Sequence, residues 1–314
     1  MNRTTVLKTA AVLGVASLAL AACGGSSTST ESSSAPSASI SAPAPASSAP
    51  AASAAPAALD CKIGTMLPQT GNLAFLGPPM FAGVDLAAKE IEAAGGPIKL
   101  ANVLPGDSGD TTTDIASQTA DCHIGAGVTA IFGAASSGVS LTVIDKITGA
   151  GVIQISPANT SPTLSDYADN GLYFRTAPSD LFQGAVLATL MLDEGIDAAG
   201  ILAMDDAYGI GLADALEANF TAGGGTITEK IIYNPQAAEF SAEVGKMKAS
   251  KPKAIAVIGF DESGKIVQEM IKQGVGPKDV PVFLVDGNIS TTAYKDFPKN
   301  TRKGVIATVP SGEA

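Results

Sequence analysis

Residues 254–284 read AIAVIGFDESGKIVQEMIKQGVGPKDVPVFL, and their apolar pattern changes twice. The first five residues form an unbroken apolar run, whereas Ile266, Val267 and Met270 recur at the spacing of one helix face. A second run, from Val280 to Leu284, follows. Because unbroken apolar runs are typical of strands buried on both faces of a parallel sheet, this stretch predicts a strand, a helix and a second strand.

The same alternation extends back to residue 61. Amphipathic stretches lie between most of the predicted strands, so we predict an α/β fold of parallel sheets flanked by helices. The region is longer than one hydrophobic core usually holds, which predicts two lobes. Pro157, Pro162 and Pro178 interrupt the alternation, and we place the crossing between lobe 1 (60–175) and lobe 2 (176–303) in this segment. The predicted strands are Cys61–Leu67, Ile98–Leu104, Ala130–Phe132, Val152–Ile155, Ile201–Met204, Ile227–Ile232, Ala254–Ile258 and Val280–Leu284.

The N-terminal residues are typical of a secreted lipoprotein. Arg3 and Lys8 precede an apolar run that is short for a membrane span, and the run ends in Leu-Ala-Ala-Cys at Cys23, a lipobox. We expect residues 1–22 to be a signal peptide and Cys23 to carry lipid, which would hold the protein on the outer face of a bacterial membrane. Residues 23–59, nearly all Ser, Ala, Pro, Thr and Gly, are expected to form a disordered tether.

The net charge of the chain, its cysteines and its single histidine limit the partners and cofactors that it can be expected to bind. A net charge of −11 with dispersed basic residues argues against nucleic acid. With Cys23 assigned to lipid, Cys61 and Cys122 form a pair at the same end of one predicted sheet, so we expect a disulfide, with two free thiols as the alternative. No metal site is expected, because the only histidine, His123, is better explained as a helix cap. No cofactor motif is complete, since Asp214 replaces the third glycine after Gly209 and Gly211.

Polar residues follow most of the predicted strands, at the edge where parallel sheets bind ligands. The first half of the chain offers hydroxyls and amides there, which suit a carboxylate, and the second half offers acids and a tyrosine, which suit an ammonium. Two lobes with these surfaces would hold a zwitterion. The first group is Gln69, Thr70, Asn72, Ser136, Ser137, Ser156, Asn159 and Thr160, and the second is Asp205, Asp206, Tyr208, Asp261, Glu262, Asp286 and Asn288.

From Cys61 onward the chain resembles the type I solute-binding proteins of ABC importers, in the branch that binds branched-chain amino acids. The resemblance rests on segments such as Ile155-Ser156-Pro157-Ala158-Asn159-Thr160, Phe174-Arg175-Thr176 and Asp206-Ala207-Tyr208-Gly209. It implies the two-lobed periplasmic-binding-protein type I fold, closing by hinge bending over an amino acid and docking on a membrane permease. We expect a monomer.

The resemblance also implies roles for individual residues. The ligand carboxylate would be bound by Ser137, or by its neighbour Ser136, and by the hydroxyl and backbone N–H of Thr160. The ammonium would be bound by the carbonyl of Ala158 and by Glu262, with Asp261 as the rival acid and Asp286 as a less certain contact. Tyr208 would close over the ligand, while Phe75 and Leu76 would shape the side-chain pocket. For each residue the alternative is an ordinary loop polar group or a helix cap.

Residues 304–314 resemble the strand by which that family returns from lobe 2 to lobe 1. We therefore expect the sequence to be a fragment that lacks the helices completing lobe 1. An enzyme is disfavoured, because one histidine at a predicted helix end does not support a Ser-His-Asp triad. The alternatives are a ligand sensor for a membrane receptor, a surface enzyme acting on small metabolites, or a clamp that binds an amide, urea or an aromatic acid.

Overall fold

The computed structural model describes residues 61–290, 292–298, 300–301 and 303–309. The expected signal peptide, the lipidated Cys23 and the tether lie outside the described residues. Among those described, no helix is both long and apolar enough to cross a bilayer.

Lobe 1 is built on a parallel sheet of five strands, in the order β2-β1-β3-β4-β5 within the described chain. This sheet confirms the parallel α/β class, and four of its strands lie where the apolar runs predict them. Its strands are β1 (Cys61–Met66), β2 (Ile98–Leu104), β3 (Ala130–Gly133), β4 (Ile153–Ser156) and β5 (Tyr173–Arg175), and its helices are α1 (Gly77–Ala93), α2 (Ile115–Gly125) and α3 (Ser137–Gly149).

Lobe 2 repeats the plan with the strand order β10-β9-β8-β6-β7, again parallel wherever the structure describes a pairing. All five residues of β8 are buried, as the unbroken apolar run predicts. Its strands are β6 (Ala198–Met204), β7 (Thr226–Tyr233), β8 (Ala254–Ile258), β9 (Val282–Leu284) and β10 (Val305–Ala307), and its helices are α4 (Asp180–Asp193), α5 (Ala207–Ala222), α6 (Ser241–Ala249) and α7 (Ser263–Gln273).

Two short strands are not among the eight that the apolar runs predict. β5 lies inside the segment expected to be an irregular crossing, and it pairs with β4 through Gln154 opposite Tyr173 and Ser156 opposite Arg175. Three residues are too few to show a periodic pattern, so only the pairing with β4 reveals this strand. β10, in the segment expected to return to lobe 1, is an edge strand of the lobe 2 sheet beside β9.

The two lobes touch through both apolar and polar contacts. Leu73 and Ala135 of lobe 1 belong to the same buried cluster as the core of lobe 2. The backbone N–H of Asp261 donates to the carbonyl of Asn72 across the lobes, with a nitrogen–oxygen distance of 3.4 Å. The structure is therefore a closed arrangement, with the carboxyl ends of both sheets facing each other.

The cysteines and the histidine of lobe 1 correct two expectations. Cys61 and Cys122 are both free, so the predicted disulfide is not formed in this structure. The reason lies in the orientation of α2. The helix buries His123, whose Nε2 lies 2.9 Å from the carbonyl oxygen of Thr65. The preceding residue, Cys122, therefore points to another side of the helix and is exposed. His123 thus packs under the sheet, against Gly64, instead of capping the helix.

Candidate functional site

A small cavity lies between the lobes, where loops follow the carboxyl ends of the strands. Its volume is about 40 Å³. Most of its lining is apolar, with hydroxyls on the lobe 1 side and a carboxyl and a phenol on the lobe 2 side. The lining residues are Leu73, Leu76, Ala135, Ser136, Ser137 and Ala158 from lobe 1 and Tyr208, Phe260, Asp286 and Gly287 from lobe 2.

The two serines occupy the N-terminus of α3, where the helix dipole favours a negative group. Ser136 is the N-cap of this helix, and its Oγ accepts from the backbone N–H of Val139 at 3.4 Å. The Oγ of Ser137 accepts from the backbone N–H groups of Thr160 and Ser161, both at 3.2 Å. In both contacts the hydroxyl oxygen of Ser137 is the acceptor. Its one proton therefore remains available for donation to another group.

Tyr208 and Asp286 form the opposite wall. The hydroxyl of Tyr208 donates to Oδ1 of Asp286 at 3.0 Å and accepts from the backbone N–H of Gly287 at 3.3 Å. The ring of Tyr208 stacks on Phe260, with 5.4 Å between the ring centroids. Burial raises the pKa of the Asp286 carboxyl, while Gln183 and the Tyr208 hydroxyl oppose that shift by hydrogen bonding.

Two further acids lie beside this wall and face lobe 1. Asp206 is the N-cap of α5: its Oδ1 accepts from the backbone N–H of Gly209 at 2.8 Å, and its side chain also reaches Ser136. Burial raises the pKa of Asp206 to about 6. Asp180, the first residue of α4, is fully buried, and burial raises its pKa to about 8. The interface between the lobes is therefore rich in buried carboxyls.

The structure brings six of the predicted residues together around the cavity and leaves the others aside. Thr160 is buried beside Asp180, with its N–H already bonded to Ser137, and Phe75 packs against the lobe 2 core. Asp261 accepts from Ser290 and Thr292. The six that line the cavity are Leu76, Ser136, Ser137, Ala158, Tyr208 and Asp286.

Glu262 is buried but is not part of the cavity lining. Its Oε1 accepts from the hydroxyl of Tyr233 and from the backbone N–H of Phe260, both at 2.9 Å. Burial raises the pKa of this carboxyl, and those two donors oppose the shift. Of the acids considered from the sequence for the ammonium, Asp286 is the one that lines the cavity.

Sequence reasoning did not assign a site role to several residues of this interface. Leu73, Ala135 and Phe260 are apolar loop residues, and no pattern distinguishes them from core residues before the lobes are placed. Asp180 begins a helix and resembles an ordinary N-terminal acid, a signal that does not reveal its burial. In the part of the chain that the structure describes, no three His, Cys, Asp or Glu side chains are arranged to hold a metal ion.

Comparison with known proteins finds relatives that match most of this chain. The model of a family described as periplasmic binding protein matches residues 60–311. A Leu/Ile/Val-binding protein homologue from Brucella melitensis is 30% identical over 261 residues, which cover 78% of this chain and 70% of that protein. Other curated relatives are covered over 58–59% of their length.

Solved structures show the same fold. A leucine-binding protein from Thermotoga maritima superposes with a TM-score of 0.67 at 23% identity, covering 75% of this chain and 66% of that one. The substrate-binding protein of a branched-chain amino acid transporter from Streptococcus pneumoniae, solved with isoleucine, gives a TM-score of 0.60 at 28% identity, covering 72% of this chain and 64% of that one.

Proposed function

The chain belongs to the periplasmic binding protein family, and on that premise we propose that it captures an amino acid with an apolar side chain between its lobes and delivers it to the permease of an ABC importer. Members of this family bind solutes and are not enzymes. The ligand class is supported by the relatives named for leucine, isoleucine and valine and by the isoleucine complex of the Streptococcus pneumoniae protein.

One observation carries the proposal, namely the division of chemistry around the cavity. Hydroxyls at the N-terminus of α3 suit a carboxylate, and Asp286 on the opposite wall suits an ammonium. Leu73, Leu76 and Phe260 give the remaining space an apolar lining, which suits an uncharged side chain. A zwitterion with an aliphatic side chain satisfies all three surfaces at once.

Capture requires the lobes to open. The cavity of about 40 Å³ is far smaller than the roughly 300 Å³ at which small-molecule pockets begin. The ligand would enter an open form and stabilise the closed form to the extent that it binds that form better. The charges of the ligand would then be paired from both lobes, out of water.

The proposed location is the outer face of the cytoplasmic membrane. The lipobox at Cys23 would supply the anchor, and residues 23–59 would give the clamp the reach to meet the permease as a monomer.

Titration calorimetry with L-isoleucine tests the function and the choice of acid together. We expect the protein to bind isoleucine and Asp286→Asn to bind it about 10- to 100-fold more weakly, because a buried ammonium loses its counter-charge. Glu262→Gln is the matched control: it removes a buried carboxylate that does not line the cavity, so its affinity should stay within about threefold. No binding of leucine, isoleucine or valine would overturn the function, and a loss in Glu262→Gln alone would overturn the choice of acid.

A further inference from the structure

Asp180 is a buried acid without a visible role in holding the fold. It begins α4, in the segment that joins the lobes, and its backbone N–H donates to the carbonyl of Thr160 in lobe 1 at 2.8 Å. Its side chain is 0% exposed, and neither carboxylate oxygen has a hydrogen-bond partner among the residues that the structure describes. A structural acid at a helix N-terminus would ordinarily be hydrated or bonded to backbone N–H groups.

The hydroxyl of Thr160 is the donor that acts on the carboxyl of Asp180 within the described residues, and it can supply one proton for the two oxygens. Asp286 and Asp206, which are also in lobe 2, act on it through their charges, and the phenol of Tyr208 lies in the same environment. Further buried acceptors, Oδ2 of Asp206 and Oε1 of Gln183, also lack partners within the described chain. Among these unpartnered atoms of the described residues, four oxygens can only accept when the acids are ionised, whereas the hydroxyls of Thr160 and Ser161 can donate one hydrogen each.

Arg175 is the cation that acts on Asp180 in the described structure, but its hydrogen bonds go elsewhere. Its Nη1 donates to the carbonyl of Ser161 at 2.8 Å, and its Nη2 donates to Oγ of Ser165 at 2.7 Å. Both partners belong to lobe 1. Arg175 thus lowers the pKa of Asp180 through its charge without forming an ion pair with it.

A carboxylate that is buried with too few donors is unfavourable when ionised, and such groups normally take up a proton instead. A zwitterionic ligand adds no net charge to the interface, and its ammonium is matched by Asp286 in the function proposed above. The carboxyl of Asp180 then remains uncompensated when the lobes close.

We propose that Asp180 is a proton-binding site of the closed clamp, so that the protein takes up one proton from solvent together with its ligand. The inference rests on the proposed function, in which the lobes close over an amino acid. On closing, a solvent proton binds one carboxylate oxygen of Asp180. On opening, water reaches Asp180 from the side that Thr160 covers, and the same O–H bond ionises.

The direction of the pH effect follows from burial. In the closed form burial raises the pKa of Asp180 to about 8, with Asp286 and Asp206 adding to the shift and Thr160 and Arg175 opposing it. In the open form the carboxyl would return toward its ordinary pKa near 4. Between these values each closure consumes a proton, so affinity should fall as pH rises and should level off above about pH 8. From pH 6 to pH 8 we expect a loss of more than about tenfold.

Calorimetry in two buffers measures the proton directly. L-isoleucine is titrated at pH 7 in phosphate and in Tris, whose ionisation heats differ, and the difference in apparent enthalpy gives the number of protons taken up. We expect nearly one proton per ligand for the native protein and close to none for Asp180→Asn, whose affinity should also vary less between pH 6 and pH 8. Asp193→Asn, an exposed acid at the other end of α4, is the matched control and should keep the native proton count.

Two results would overturn the proton site while leaving the proposed function intact. One is isoleucine binding with no proton uptake, and the other is unchanged uptake in Asp180→Asn. If isoleucine does not bind at all, the proposed function fails, and the proton site, which rests on that function, fails with it.

Discussion

The hydroxyl of Tyr208 links α5 to the loop that carries Asp286 and Gly287. It donates to Asp286 and accepts from the backbone N–H of Gly287, while the ring remains stacked on Phe260. Burial raises the pKa of the phenol, and the nearby Asp286 and Asp180 add to that effect, so Tyr208 is a neutral donor at physiological pH. It therefore orients the Asp286 carboxyl without adding charge.

Tyr208→Phe is expected to lower the free energy of unfolding by about 1–3 kcal/mol, because Asp286 and Gly287 each lose a buried partner. Isoleucine affinity should fall as well, since Asp286 is no longer held in place. Urea denaturation and calorimetry measure the two effects. Tyr167→Phe, which removes a surface hydrogen bond to Asp145, is the control and should change stability by less than about 0.5 kcal/mol. Equal effects of the two variants would contradict this role for Tyr208.

At the scale of the element, α4 and α5 cross with their backbones in close contact. Gly184 of α4 makes this possible, because a Cβ at this position would lie 2.6 Å from Cβ of Ala215 and 2.8 Å from the backbone of α5. The contact joins α4, which follows the segment between the lobes, to α5, which carries Tyr208. The distance between these two helices therefore helps to set the distance between Asp180 and Tyr208.

Gly184→Ala is expected to destabilise the protein by about 1–3 kcal/mol, because a methyl group forces the two helices apart. The matched control is Gly83→Ala in α1, where a Cβ meets nothing within 4 Å. That change should stabilise by about 0.5–1 kcal/mol through helix propensity. Thermal melting of both variants measures the difference, and a stabilised Gly184→Ala would mean that the helices do not cross this closely.

At the scale of the whole molecule, the contact between the lobes offers a way to lock the clamp. A Cβ built at Gly138 of lobe 1 would lie 3.4 Å from Cβ of Asp206 in lobe 2, close to the 3.5–4.5 Å that a disulfide requires. A bond between these positions would hold the lobes as they are in this structure, with a cavity of about 40 Å³.

The double variant Gly138→Cys and Asp206→Cys, in a background where Cys61 and Cys122 are serine, should therefore lose isoleucine binding when oxidised. Reduction should restore binding, although more weakly than in the native protein, because the N-cap of α5 has been replaced. Calorimetry before and after reduction is the measurement. Gly138→Cys alone should bind isoleucine under both conditions. Full binding by the oxidised double variant would show that ligand exchange does not require the lobes to part.

The parallel α/β class and the two lobes were predictable because apolar periodicity is local: a run such as 254–258 has to be buried in any fold that this chain adopts. The arrangement of hydroxyls on one lobe and acids on the other followed for the same reason, since parallel strands bring their carboxyl ends to one edge. The roles of the individual residues in ligand binding stay predictions.

Other features depend on contacts between residues far apart in the chain, and only the tertiary structure reveals them. Glu262 and Asp286 are both acids in loops that follow strands. Glu262 accepts a hydrogen bond from the hydroxyl of Tyr233, whereas Asp286 lines the cavity. Cys122 and His123 are neighbours on α2, but the sheet covers His123 and leaves Cys122 exposed. The burial of Asp180 depends on segments that are distant in the sequence and pack around it, so the residues next to it in the chain do not predict it.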